Sequence, residues 1–182
     1  MSISAEDRAK LIALAKEAVA ATVKGEPSPR TTDAAGVLGE TRGCFVTITN
    51  QGRLRGCIGT FHPSLPLGRM IVEMGHSAAC DPRFTMDPIT PEELPELTIE
   101  VSVLSPLEKT SDPEHLTVGV HGIYVSCRGR AGCFLPEVAT DQGWDAVEFL
   151  DYCCAHKAGL PADAWRRADA EVYLFTSEKF HA

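Results

Sequence analysis

The sequence predicts an α+β fold, an antiparallel-rich, barrel-like sheet with flanking helices, built from two β-hairpin-plus-helix repeats. Three observations carry this. Strand-like runs come in pairs joined by short glycine turns, the connectivity of antiparallel hairpins and not of parallel βαβ units. Between the pairs lie stretches whose apolar residues recur at helical spacing. The two halves also echo each other: Gly56-Cys57-Ile58 and Gly132-Cys133-Phe134 each lie in a return strand, and each strand leads into a helix.

The first helix starts at Ser4, a capping residue with Asp7 three positions on to complete a capping box. Leu11, Ile12, Ala15, Val19 and Val23 form its apolar stripe until Gly25 and Pro27 stop it. Residues 25–42, rich in Gly, Pro and Thr, read as a flexible arm. Cys44-Phe45-Val46-Thr47-Ile48-Thr49 then alternates as a strand. Asn50-Gln51-Gly52 turns, with Gly52 suited to the left-handed position of a bulged hairpin, and residues 53–60 return.

Leu67, Met70, Ile71 and Met74 mark a second helix, broken at Asp81-Pro82-Arg83-Phe84. Thr90-Pro91-Glu92-Glu93 opens a short helix in which Thr90 caps and Glu93 closes the box. Leu97, Ile99, Val101 and Val103 alternate with Thr98, Glu100 and Ser102 as a strand with one apolar face. A second hairpin spans residues 123–127 and 132–135, joined by Arg128-Gly129-Arg130. Asp145 caps a helix through Val147, Phe149, Leu150 and Cys153 that ends near Gly159 and Pro161, and residues 171–176 form the last strand.

A chain of 182 residues suits one domain, residues 1–182, with room for a small subdomain. Apolar residues at 44% and charged residues at 23% allow a sizeable core. Acidic residues outnumber basic ones, 25 to 17, which argues against a general phosphate-backbone binder. Arg128, Arg130, Arg166 and Arg167 are the candidates for a local basic patch. The opening Met1-Ser2-Ile3-Ser4-Ala5-Glu6-Asp7 has neither the basic nor the apolar region of a signal peptide. No run approaches the ~20 apolar residues of a spanning helix. Seven cysteines, an odd number without a secretion signal, point to free thiols in a reducing cytoplasm.

The segment with most chemistry is Leu54-Arg55-Gly56-Cys57-Ile58-Gly59. A cation beside a thiol favours the thiolate, and glycines let a backbone or ligand approach. On an unbroken strand Arg55, Cys57 and Gly59 share one face while Leu54, Gly56 and Ile58 share the other. Leu54 and Ile58 are thereby expected in the core, and Arg55 and Cys57 in a groove. Asp81 and Arg83 are expected to pair across a turn, and Glu100 to meet Arg55 if their strands are neighbours. The candidate groove is Arg55, Gly56, Cys57, Gly59, Asp81, Arg83 and Glu100. The alternative for Cys57 is a small buried hydrophobe, with the glycines serving backbone packing.

Cys57 as a nucleophile needs a base, for which His62, His76 and His121 are the candidates. No metal or other cofactor is expected. No Cys-x-x-Cys occurs, and Cys153 and Cys154 on a helix would point about 100° apart. No dinucleotide fingerprint or phosphate loop is present either. Trp144, flanked by Asp141 and Asp145, suits a place in the core or at a subdomain seam better than a base-stacking platform.

The same residues identify a family. Leu54-Arg55-Gly56-Cys57-Ile58-Gly59 resembles the signature of the AMMECR domain. Asp81-Pro82-Arg83-Phe84, the stretch over residues 90–104, and Phe134-Leu135-Pro136-Glu137-Val138-Ala139 through Gly143-Trp144-Asp145 to Pro161 resemble its further blocks, in family order. Glu137 stands where the family commonly has Gln, and Cys133 where it has an apolar residue. The resemblance implies an α+β fold with two structural repeats. For stand-alone chains of this size it also implies a three-part system with a Memo-type protein and a radical S-adenosylmethionine enzyme. It carries no reaction, so enzyme status stays open. The leading reading is an accessory or substrate-handling component of that system. The alternative is an enzyme using Cys57 as nucleophile, and the third is a nucleic-acid-binding domain, which the acidic balance disfavours.

Overall fold

The computed structural model describes residues 2–31 and 35–182. Its chain divides into two compact units, Met1–Leu104 with Glu178–Ala182, and Ser105–Ser177. In the first, helix α1 (Ala5–Lys24) precedes strands β1 (Cys44–Asn50) and β2 (Arg53–Thr60), helix α2 (Leu67–Ala79) and strand β3 (Leu97–Leu104). The second holds β4 (Glu108–Thr110), β5 (Gly122–Cys127), β6 (Arg130–Phe134), α3 (Pro136–Gln142), α4 (Ala146–Tyr152) and β7 (Ala170–Phe175). Strand β8 (Ser177–His181) completes the sheet of the first unit.

The antiparallel α+β class is the expected one, but the strands form two four-stranded sheets and neither closes into a barrel. Their orders are β2-β1-β3-β8 and β6-β5-β7-β4. These orders are the same pattern twice: a hairpin's return strand at the edge, its first strand, a third strand, then a short fourth. Both hairpins turn on two residues with positive φ, Gln51 and Gly52 in one, Arg128 and Gly129 in the other. This is the tight turn whose twist matches the strands it joins. Arg130, expected in the second turn, is already the first residue of β6.

In the first unit α1 and α2 cover one sheet face. Leu11, Ala15 and Val19 from α1 and Leu67, Met70 and Ile71 from α2 bury against Val46, Ile48, Ile99, Val101 and Val103. Ser4 caps α1 by accepting the Asp7 N–H, and Gly25 closes it at φ +69°. The expected flexible arm is in part core, because Val37 and Leu38 of a 3-10 turn (Gly36–Gly39) pack into that cluster. Residues 32–34 of the arm lie outside the described residues. β8 escapes the hydrophobic pattern because Phe180 is its one core residue, while Glu178 receives Ile3 N–H and Arg8.

In the second unit Ile123, Val125, Phe134, Phe149, Leu150 and Trp165 form the centre of the core. Asp145 and Glu148 make the capping box that starts α4. The helix runs on as a π-helical segment (Cys153–Ala158). Trp144 is half-buried and packs against this core beside Phe134 and Tyr152.

The Gly-Cys echo has a physical cause common to both units. A Cβ on Gly56 would lie 2.0 Å from the Ala78 carbonyl oxygen at the end of α2. A Cβ on Gly132 would lie 2.5 Å from the Ala158 nitrogen at the end of the π-helical segment. In each unit the return strand thus admits a helix end against bare backbone. Gly56→Ala and Gly132→Ala are each expected to destabilise the protein by about 1–3 kcal/mol through overpacking against backbone that cannot yield. Urea unfolding of the two variants checks this, with Gly68→Ala in α2 as the control, where a Cβ would meet nothing nearer than 3.6 Å.

Candidate functional site

The β1–β2 register slips by one residue. Thr49 faces Leu54 and Ile48 faces Gly56, so Arg55 is the extra residue of a β-bulge. The bulge breaks the alternation on which the shared face of Arg55 and Cys57 was expected. Arg55 is only 2% exposed, whereas Leu54, expected in the core, is 36% exposed. Ile58 packs partly buried against the core as expected.

Inside, the Arg55 guanidinium is fully engaged. Nε and Nη2 donate to the Glu93 carboxylate at 3.0–3.2 Å, Nη1 to Asp87 Oδ2 at 3.0 Å, and Nη1 and Nη2 to the Asp87 and Pro88 carbonyls at 3.1 Å. Arg55 therefore pins the segment after α2 and is not a groove cation. Glu93 is drawn to Arg55, and the 3-10 helix it belongs to (Pro91–Glu96) has no side-chain cap from Thr90. Asp87 and Glu93 are thus the missed partners. Asp87-Pro88 and Thr90-Pro91 frame them, and only the bulge reveals the inward Arg55.

Cys57 lies on an edge strand, which has a neighbouring strand on one side only. The Asp81-Pro82-Arg83 turn takes the other side. Cys57 N–H donates to Asp81 Oδ2 at 3.0 Å, and Arg83 Nη2 donates to the Cys57 carbonyl at 3.2 Å. Asp81 also accepts Arg83 N–H at 3.0 Å and the Arg83 guanidinium through Nε and Nη2. Its carboxylate is almost fully buried, while the Arg83 side chain is 56% exposed. The hydrogen-bonded guanidinium of Arg83 holds the Asp81 carboxyl far below the usual range, with the Cys57 N–H adding to the effect against the cost of burial.

The Cys57 side chain leaves from the sheet face opposite the helices. Its Sγ is 3.2 Å from Thr47 Oγ1. Thr47 stands directly across from Cys57 on one side and Glu100 on the other. Glu100 pairs with Lys179 of β8 at 3.3 Å, not with Arg55. Cys57, Thr47, Glu100 and Lys179 make one polar row across the four strands, and its first three members are half-buried. Gly59 leaves space for an aromatic ring on this face, since a Cβ there would lie 2.2 Å from Phe45. Phe61 meets Phe45 edge-on at 5.2 Å between centroids.

The structure brings together Gly56, Cys57, Gly59, Asp81 and Arg83, adds Glu100 through Thr47, and removes Arg55 to the interior. Of the candidate bases, His76 contacts Thr22 and His121 accepts Thr117 N–H. Among the described residues no group of three or more His, Cys, Asp or Glu could hold a metal ion. All seven cysteines are free, and burial pushes the Cys44 thiol up to about 12 and raises Cys153 as well. Of the expected basic patch, Arg128 and Arg167 pair with Asp169 and Arg166 with Glu114, while Arg130 donates to the Gly159 carbonyl. Among the described residues no helix is long and apolar enough to cross a membrane.

The AMMECR1 family profile matches residues 12–180. A protein of Methanothermobacter thermautotrophicus is 40% identical over 187 residues, which cover 98% of this chain and 96% of that one. A Thermococcus gammatolerans protein is 41% identical over 182 residues, covering 93% and 87% respectively. The crystal structure of the uncharacterized protein PH0010 from Pyrococcus horikoshii superposes with a TM-score of 0.86 at 37% identity, covering 98% of this chain and 93% of that one.

Asp81 has a folded-state pKa below its unfolded value of about 3.9. Its stabilisation is therefore complete above that value and is lost as pH falls through the lower, folded one. Asp81→Asn is expected to cost about 1.5–3 kcal/mol at pH 7. The gap between variant and parent is expected to hold down to about pH 5 and to shrink below about pH 4. Denaturant unfolding across that range measures it.

Proposed function

The chain belongs to the AMMECR1 family, and on that footing we propose that it is an accessory, substrate-handling component. It works with a Memo-type protein and a radical S-adenosylmethionine enzyme, the system its sequence resembles. The working surface is the sheet face bearing Cys57, Thr47 and Glu100.

The carrying observation is the 3.2 Å contact between the Cys57 thiol and the Thr47 hydroxyl within a half-buried polar row. Four strands at their usual spacing give that row a length of about 14 Å, enough for a small ligand or an extended peptide. It presents in order a thiol, a hydroxyl, a carboxylate and an ammonium, beside the Phe45 ring. Asp81 and Arg83 fix the backbone under the thiol, so the surface is ordered before anything binds. Recognition chemistry of this kind needs no base, and the thiol's neighbour is a hydroxyl.

The second reading, Cys57 as nucleophile, is favoured by a half-buried thiol on the residue whose carbonyl holds the Arg83 guanidinium. The two readings part in one set of measurements. For the accessory role, Glu100→Lys and Thr47→Arg are expected to lower co-purification with the two partners at least about tenfold, as removal of complementary contacts does. Cys57→Ser, which keeps a hydrogen-bonding group beside Thr47, is expected to co-purify as the parent does. Iodoacetamide at neutral pH is expected to modify Cys57 no faster than the exposed Cys80. Full partner recovery by both row variants would overturn the accessory surface. Alkylation of Cys57 well ahead of Cys80 would favour the nucleophile.

A further inference from the structure

Of the eleven arginines, eight pair with carboxylates and Arg130 donates to the Gly159 carbonyl. Arg30 and Arg69 are the two without an ion-pair or hydrogen-bond partner among the described residues. Both line one cavity of about 670 Å³ in the first unit, between residues 28–31 and the outer face of α2. In an acidic chain with net charge −8, two guanidinium groups in one concavity, neither partnered among the described residues, are out of keeping with the rest of the surface.

The helix supplies most of the lining from one stripe. Arg69, Glu73, His76 and Ser77 recur at spacings of four, three and one, so they face the same side of α2. Glu73, one turn after Arg69, forms no salt bridge with it within 4.0 Å among the described residues. His76 is oriented from α1. The Thr22 hydroxyl gives its proton to the Ala18 carbonyl at 2.7 Å, so at 2.9 Å it accepts from His76 Nδ1. The ring is thereby held with Nε2 free of that bond. Val72 adds a buried apolar wall.

We propose that this cavity is a binding site for a small phosphorylated compound, separate from the Cys57 sheet face. Arg30 and Arg69 line it from different elements, and each guanidinium fork matches two oxygens. A phosphate ester presents three terminal oxygens and up to two charges, which two forks satisfy together, whereas a single carboxylate is met by one. The Ser77 hydroxyl lies on the same wall. The volume falls in the range of small-molecule pockets and exceeds what phosphate alone fills, so the organic part of the ligand lies against Val72.

Isothermal titration of the full chain with inorganic phosphate and with pyrophosphate, at ionic strength matched with sodium chloride, tests the site. Saturable one-to-one binding is expected. Arg30→Ala and Arg69→Ala are each expected to weaken it by about tenfold or more. Lys16→Ala, which removes an exposed positive charge from α1 away from the cavity, is expected to leave it unchanged. Arg30 and Arg69 are exposed, so their variants should unfold at the parent's temperature, and Arg69→Gln repeats the test with the side-chain length kept. Absence of saturable binding, equal weakening by Lys16→Ala, or tighter binding of succinate than of pyrophosphate would each overturn the proposal.

Discussion

The Asp81 carboxylate is the constraint on which the Cys57 region depends. It lies just past the end of α2, is buried, and bonds at once to the Cys57 amide of the edge strand and to Arg83. Charge-assisted bonds of this kind are worth about 1.5–3 kcal/mol each when a buried group would otherwise go unpaired. The bond can form only because Gly56 lets the helix end come against the strand. Helix end, edge strand and thiol are therefore positioned by one arrangement, in which the glycine permits the approach and the carboxylate fixes it.

The second unit solves the same problem with the charges reversed. Gly132 admits the end of the π-helical segment as Gly56 admits α2. There the link runs from strand to helix: Arg130 of β6 donates to the Gly159 carbonyl beyond the helix end. Both helix ends are C-terminal ones, but in the second unit the strand supplies an arginine that donates to a carbonyl at the helix end, whereas in the first a carboxylate past the helix end accepts from the strand amide. The repeat is thus conserved in backbone packing and divergent in side-chain chemistry. The half-buried thiol with a hydroxyl neighbour belongs to the first unit, whereas burial raises Cys133 in the second.

Much of the fold is legible in the sequence because hydrophobic alternation and glycine turns are local signals. The two hairpins, α1, α2, β3 and the capped α4 all follow from them. The strands that escape, β4 and β8, are short and contribute few core residues, so their pairing is decided by tertiary contacts. For the site, the residues were legible and their roles were not. Arg55 and Cys57 would share a face on a regular strand, and a single bulged residue sends Arg55 inward to Asp87 and Glu93. A bulge of this kind leaves no periodic mark. Asp81-Pro82-Arg83 does announce a paired turn, but its function of completing an exposed strand edge appears only once β2 is known to be outermost.

The most direct measurement is native-state amide hydrogen exchange at Cys57 in the parent protein and in Asp81→Asn. On an edge strand an amide facing away from the sheet would ordinarily exchange quickly. If Asp81 secures it, the Cys57 amide is protected in the parent to the level of the β1 amides, and the substitution lowers its protection far more than theirs. Fast exchange at Cys57 in the parent, or protection that the substitution leaves untouched, would contradict the account.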